Sequence, residues 1–135
     1  MASYNVSSTE KPIRVDNKAV TETLAEGAVM CTGADFDAVL LPAGAAATKI
    51  YGVARSAAVS GDRLSLLLEG QGNVLLAATA TCTAGVPLIT ANASGHAKSW
   101  TNETDVDVVG MALVTRTAGA SAEMVPVEVK PFRKT

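Results

Sequence analysis

Two segments of this chain align with one another at a separation of 58 residues, and the alignment needs no gap. The aligned blocks are AVTETLAEG (19–27) with AATATCTAG (77–85), IYGVA (50–54) with VVGMA (108–112), and VSGDRLSLLL (59–68) with TAGASAEMVP (117–126). Three glycine pairs share this register: Gly27 with Gly85, Gly52 with Gly110, and Gly61 with Gly119. Because glycine marks turns and positive-φ positions, the shared spacing predicts one β-rich unit used twice. Chance agreement within an alanine-rich chain is the alternative.

Short apolar runs separated by turn residues cover most of the chain. Strands are expected at 38–41, 50–54 and 64–68, with turns at 60–62 and at Gly70-Gln71-Gly72-Asn73. A hairpin is expected where residues 86–91 and 96–100 flank a turn that contains Gly95. A helix over 19–30 is rejected because the aligned copy is rich in β-favouring threonine. The pattern predicts an all-β fold, a small barrel or sandwich.

The two ends of the chain differ in composition from the repeat. Residues 1–18 are polar, and Ile13 and Val15 alternate with Arg14 and Asp16, so we expect an extended N-terminal arm with a short strand-like patch. A disordered tail is the alternative. Residues 19–130 form the expected β-rich domain, and 131–135 a basic C-terminal tail. Gly27, Gly52, Gly61, Gly85, Gly95, Gly110 and Gly119 are predicted to form turns.

The composition indicates how many domains the chain can form and which classes of partner it can bind. The chain has 135 residues, enough for one domain, but only 4% are aromatic, so the core is built from small side chains. Such a core favours self-association. A net charge of −2 gives no basic field for nucleic acid. No apolar run is long enough to cross a bilayer, and the N-terminus lacks a signal-peptide core, so we expect synthesis in a cytosol, with Cys31 and Cys82 reduced.

The residues that carry chemistry do not converge in the sequence. His96 is the only histidine and follows a predicted turn, which fits a solvated residue better than a general base or zinc ligand. Gly70-Gln71-Gly72 lacks the lysine and the third glycine of a phosphate-binding loop. Two close aspartate pairs, Asp35 with Asp37 and Asp105 with Asp107, could each bind a cation. Alternation along the strand favours a solvated face for Asp105 and Asp107. Trp100 is interpreted as a core or subunit anchor rather than a ligand platform. No enzymatic activity, cofactor or metal is expected.

Three blocks of the sequence resemble a known family. They are Gly52-Val53-Ala54 followed by Gly61-Asp62, then Ala84-Gly85 through Leu88, Asn92, Gly95 and Ala97, and finally Gly110-Met111-Ala112. Together they cover about residues 19–130 and are similar to the small head decoration (cement) proteins of tailed bacteriophages, the lambda-type β-tulip family. Val86 and Ala120 depart from that pattern.

The resemblance implies a β-tulip fold and homotrimers at three-fold or quasi-three-fold positions of an expanded icosahedral head. The expected partners are then the major capsid protein and further copies of this chain, with the outer capsid surface of the virion as location and neither nucleic acid nor membrane as partner. Ile13, Arg14 and Val15 are the expected capsid contacts, through addition of the arm to an exposed sheet edge. The alternatives are another phage structural component, such as a tail or fibre accessory, and a ligand-binding β-barrel.

Overall fold

Short β-strands account for all of the regular secondary structure in the computed structural model, which describes residues 10–33 and 35–134. The strands are Lys11–Val20 (β1), Val29–Thr32 (β2), Ala38–Leu40 (β3), Ile50–Ala54 (β4), Arg63–Leu76 (β5), Thr81–Cys82 (β6), Pro87–Thr90 (β7), Ala97–Ser99 (β8), Val106–Ala112 (β9), Arg116–Thr117 (β10) and Glu123–Lys134 (β11). Within those two ranges no residue belongs to a helix, and so no helix is present that could cross a membrane. The all-β prediction is confirmed.

The paired strands form two rings of five strands each, and β5 belongs to both rings. The first ring runs β1-β3-β2-β4-β5, and the second runs β5-β11-β9-β7-β8. The contact that closes each ring is short: β5 meets β8 at the single pair Leu76 and Ala97, and β1 meets β3 only at Ala19 and Val20. The predicted barrel-like domain is therefore a ring-shaped sheet and not a closed barrel, because each ring has one contact of only one or two residue pairs.

The 58-residue repeat relates the first ring to the second. In the first ring the Gly27 N–H donates to Ala54 O at 2.9 Å, and in the second the Gly85 N–H donates to Ala112 O at 2.8 Å. Gly27 and Gly85 have φ values of 86° and 82°, a left-handed conformation that glycine adopts without strain. The register agrees as well, since β2 pairs with β4 as β7 pairs with β9. The repeat predicted from glycine spacing is confirmed.

Two main cores follow from the alternation of side chains along the strands. The interior of the first ring holds Val20, Leu24, Ala28, Met30, Val39, Ala54, Ala58, Leu64, Leu66 and Leu68. The second core combines the interior of the second ring with outward-facing residues of the first, among them Val29, Val53 and Leu67. The two rings therefore form one packed unit, because the outer wall of the first ring is part of the core of the second.

Several predicted boundaries differ from the structure. The predicted turn at residues 70–73 is wrong, since these residues continue β5. Residues 11–18, expected in an arm, lie in β1, and residues 131–133, expected in a tail, lie in β11. Residues 1–9 of the expected arm fall outside the described residues. Residues 70–73 pair with β1 and β11, residues 11–18 with β5, and residues 132–134 with β9, and local polarity predicted none of these pairings.

The seven glycines predicted to form turns have three different roles. Gly27, Gly61, Gly85 and Gly95 have positive φ values and lie in turns or connections. Gly52 and Gly110 lie inside β4 and β9, so for them the turn prediction is wrong. A Cβ at position 110 would lie 2.0 Å from Glu128 O, and one at position 52 would lie 2.7 Å from Leu67 O. Gly119 lies between β10 and β11, where its N–H donates to Glu123.

Candidate functional site

The outer edge of β1 is the most exposed stretch of sheet in the first ring. Residues 11–19 pair antiparallel with β5, whereas on the other side of β1 only Ala19 and Val20 pair, with β3. Among the described residues, no strand pairs with the other side of residues 11–17. An edge with unpaired N–H and C=O groups can accept another extended chain.

A β-bulge shapes this edge at Ile13. Pro12 pairs with Gly70 and Arg14 with Glu69, so Ile13 has no opposite residue in the ladder. Gly70 makes the bulge possible, because its φ is 127° and a Cβ there would lie 2.6 Å from Lys11 O and 2.7 Å from Ile13 N. Sequence reasoning missed Gly70 in this role. A signal was available, because the apolar alternation resumes after Gly72 instead of ending at Leu68.

The expected contact residues point outward from this bulged edge. Ile13 is 71% exposed and Val15 is 47% exposed, and Arg14 is exposed between them. Arg14 also borders a shallow groove whose other walls include Glu69 and Lys130. The structure thus brings together two apolar side chains and a cation, which can bury apolar area and orient a partner at the same time.

Side-chain interactions at Glu10 and at Asn17 mark the two ends of the unpaired part of the β1 edge. At its start, Arg55 makes a bidentate pair with Glu10, with N–O distances of 3.0 and 2.8 Å. This pairing raises the pKa of Arg55. Further along, the Asn17 N–H donates to Asp16 Oδ1 at 2.8 Å and Arg63 donates to Asn17 O at 3.2 Å. Side chains therefore satisfy the edge at Asn17, and the open segment is residues 11–15.

A polar cluster lies beside the open segment. The Tyr51 hydroxyl donates to Asp16 Oδ2, which lowers the pKa of Asp16 and raises the pKa of Tyr51 to about 12. Lys18 Nζ lies 5.2 Å from the centre of the Tyr51 ring and 5.7 Å from that of Phe36, and it donates to Phe36 O. Cation–π contacts and this hydrogen bond fix Lys18 in place. Phe36 itself is 89% exposed.

The residues with catalytic or metal-binding chemistry remain apart. His96 is half-buried, its Nδ1 contacts Asn92 Nδ2 at 3.2 Å, and desolvation lowers its pKa. Cys31 and Cys82 are free and buried, and desolvation raises the pKa of Cys31 to about 11. Within residues 10–33 and 35–134 no three His, Cys, Asp or Glu side chains are grouped to hold a metal ion. These groups pack or form local hydrogen bonds.

Three of the four aspartates, Asp35, Asp37 and Asp107, and also Trp100 have structural partners. Asp37 forms an ion pair with Arg63, with N–O distances of 2.7 and 3.0 Å. Asp107 was interpreted as solvated, and this is wrong: its side chain is mostly buried, accepts from the Ile50 N–H at 3.0 Å and pairs with Arg133 at 2.6 Å. Trp100 packs against a small core of Ile89, Val106 and Val108, as a core anchor does.

The fold and the surface define a class: a small all-β protein with two ring repeats that share a strand and with an open, bulged edge strand. No protein-family model matches the chain, and no curated protein matches it. Among solved structures, it is similar to the crystal structure of the head fibre gp8.5 N base in bacteriophage phi29. That similarity has a TM-score of 0.61 at 17% sequence identity and covers 86% of this chain and 92% of the other. The two chains share a fold.

Proposed function

We propose that this chain is a structural protein of a bacteriophage head that binds the outer surface of the expanded capsid. The observation that carries the proposal is the shared fold with the base of a phage head fibre over nearly the full length of both chains. The sequence resemblance to head decoration proteins, from three separate glycine-containing blocks, agrees with it. The finer role that we propose is that of a cement protein, which stabilises the shell against the pressure of packaged DNA.

The proposed contact is the open edge of β1. The backbone of Ala19 faces β3 and that of Val20 faces β5, since Ala19 N–H donates to Asp37 O and Val20 N–H donates to Asp62 O. Alternation along the strand then directs the N–H and C=O of Val15 away from β5. An extended segment of the major capsid protein can pair with these groups, while Ile13 and Val15 are covered by its side chains.

A homotrimer strengthens such a contact. Residues 11–15 offer only a few backbone hydrogen bonds, so one edge binds weakly. Three linked edges at a three-fold or quasi-three-fold position raise the effective concentration, and avidity can then exceed the single-site affinity by ~10²–10⁴. The trimer would connect several capsid subunits and resist their separation when packaged DNA pushes outward on the expanded shell.

Co-sedimentation with phage heads tests the proposal. We expect saturable binding of the purified chain to expanded heads and no binding to unexpanded proheads. Replacing Ile13 and Val15 together by lysine should abolish binding, because charged side chains block strand addition at an edge. The matched control replaces Val59 and Leu113 together by lysine, which places the same two charges at exposed apolar residues outside the edge. Absence of binding to either particle would refute the head role, and unchanged binding of the double variant would refute the β1 contact.

A further inference from the structure

A loop of the first ring covers one end of the second ring. The hydroxyl of buried Thr90, at the end of β7, donates to Gly44 O at 3.0 Å and accepts from the Ala47 N–H at 2.8 Å. Ala46 N–H donates to Thr90 O at 2.9 Å, and Asp107 N–H, near the start of β9, donates to Ala47 O at 3.2 Å. Residues 42–48 therefore cross the adjacent ends of β7 and β9 and hold them together.

The equivalent end of the first ring is open. In the 58-residue register Thr90 corresponds to Thr32 at the end of β2, and Asp107 corresponds to Lys49 just before β4. Thr32 N–H donates to Lys49 O at 2.9 Å, so here the two strand ends bond directly to each other. Thr32 and Lys49 are both exposed, whereas Thr90 is fully buried. Phe36, which is almost completely exposed, lies in the groove that Thr32 and Lys18 also border.

The second ring has a loop in the place that residues 42–48 occupy in the first. Residues 100–105 form this loop, and its conformation is fixed from within. Trp100 Nε1 donates to Glu103 O at 2.6 Å, and Glu103 Oε1 accepts from the N–H groups of Thr101 at 3.0 Å and Asn102 at 3.1 Å. Because the loop is already ordered, docking it loses little conformational entropy.

Opposite charges distinguish the loop from the open end. The loop has the exposed carboxylate of Asp105, and the open end has the exposed Lys49 ammonium. Among the described residues, Lys49 has no carboxylate within ion-pair distance, and neither has Asp105 a cation. The molecule therefore has a preformed loop with the exposed carboxylate of Asp105 and an uncovered end with the exposed ammonium of Lys49, while Asp35 lines the adjoining groove.

We propose that residues 101–105 of one copy cross the ends of β2 and β4 of a second copy, with Asp105 beside Lys49, as residues 42–48 cross β7 and β9 within one chain. The contact joins two different surfaces, so copies associate head to tail, and three such contacts close a cyclic trimer if each turns the chain by one third of a circle. This inference deepens the proposed function by naming the contact of its homotrimer, and it requires no phage head for its test.

Charge exchange in the full-length chain tests the contact, with molar mass measured by sedimentation velocity over a concentration series. Lys49→Asp and Asp105→Lys should each weaken association roughly tenfold, as expected for a close interfacial charge pair. The two changes in one chain should restore it. The control is Glu128→Lys, a charge reversal at an exposed carboxylate outside the contact, which should leave association unchanged. If Asp105→Lys does not fold, Asp105→Asn replaces it in the test, because asparagine readily adopts the φ of 57° at this position. Asp105→Asn should also weaken association.

Two results would overturn the contact: a chain that stays monomeric at every concentration, or single variants that associate as strongly as the unmodified chain. Neither result touches the head-binding proposal, since a monomeric chain can still co-sediment with expanded heads. Conversely, the chain could fail to bind heads while the single charge variants weaken association and the double variant restores it. That result would refute the proposed function and support the contact between copies.

Discussion

The two rings have the same strand order, but side chains that are apolar in the second ring are polar or charged at the equivalent positions of the first. In the second ring, Val74, Leu76 and Val109 are fully buried in its core. The residues at the equivalent positions of the first ring are Asp16, Lys18 and Tyr51, which form the polar cluster beside the β1 edge. In repeat architectures a polar face on the terminal unit stops further stacking and keeps the protein soluble. The first ring has this terminal character at β1, and the second ring supplies the buried centre.

The difference also assigns stability and binding to different parts of the molecule. Outward-facing residues of the first ring, such as Val53 and Leu67, complete the core of the second, so the second ring depends on the first. The outer edge of β1 does not contribute side chains to either core, because Ile13 and Val15 are exposed to solvent. Changes in the second core should therefore alter folding, and changes at the β1 edge should alter association with partners.

The largest expected difference between the rings is at Leu76 and Lys18. Leu76→Ala should lower the free energy of unfolding by about 3 kcal/mol, because it leaves a cavity in a fully buried site. Lys18→Ala, at the equivalent position, should cost about 1 kcal/mol, because the mostly buried side chain loses its cation–π contacts and its hydrogen bond to Phe36 O but leaves no fully enclosed cavity. Urea denaturation of both variants measures the difference. Equal losses would show that the polar cluster stabilises the first ring as strongly as the core stabilises the second.

A smaller difference is expected between the strand glycines Gly110 and Gly52. Gly110→Ala should destabilise by about 3 kcal/mol, because its Cβ would collide with Glu128 O, a backbone atom. Gly52→Ala should cost about 2 kcal/mol, since its Cβ would be less crowded against Leu67 O. The control is Gly44→Ala, which has no atom within 4 Å of the added Cβ and should stay within about 0.5 kcal/mol of the parent. Thermal unfolding of the three variants gives the order, and a reversed order for Gly110 and Gly52 would contradict it.

The smallest expected effect concerns Glu103, in the loop of residues 100–105 of the second ring. Backbone N–H groups of this loop lower the pKa of Glu103 from 4.5 to about 2. Because the folded pKa is depressed, the ionised form stabilises the fold above the ordinary pKa, and this contribution is lost as the pH falls from about 4.5 towards 2. Glu103→Gln should therefore lower the melting temperature slightly at neutral pH, and the gap should close in acid. Measuring both melting curves against pH checks this; a gap that persists unchanged at the lowest pH would contradict it.

Local sequence signals predicted the parts of the fold that depend on nearby residues. The hairpin around residues 92–95 is confirmed, with β7 antiparallel to β8, since its turn residues and flanking apolar runs are adjacent in the chain. The positive φ at Gly61 is confirmed in the same way. The role of Gly70 inside β5 was not predicted from nearby residues, because Gly70 accommodates the backbone of β1, which lies almost sixty positions earlier in the chain.

For the candidate site, the sequence identified Ile13, Arg14 and Val15 but assigned them to an arm. Their pairing with β5 is a contact between residues about fifty positions apart, and only the folded chain forms it. The edge protection at Asn17 also required the structure, because Arg63 reaches it from β5.

The sequence by itself determined the all-β class and the tandem repeat, because glycine spacing and strand-forming side chains act through the local backbone. Only the tertiary structure decided that the two repeats share β5, that the face which is apolar in one ring is polar in the other, and that β1 begins with a bulged, open edge. Those features depend on which distant strands pair and which side chains they bury, and the energy of such contacts is not set by neighbours in the sequence.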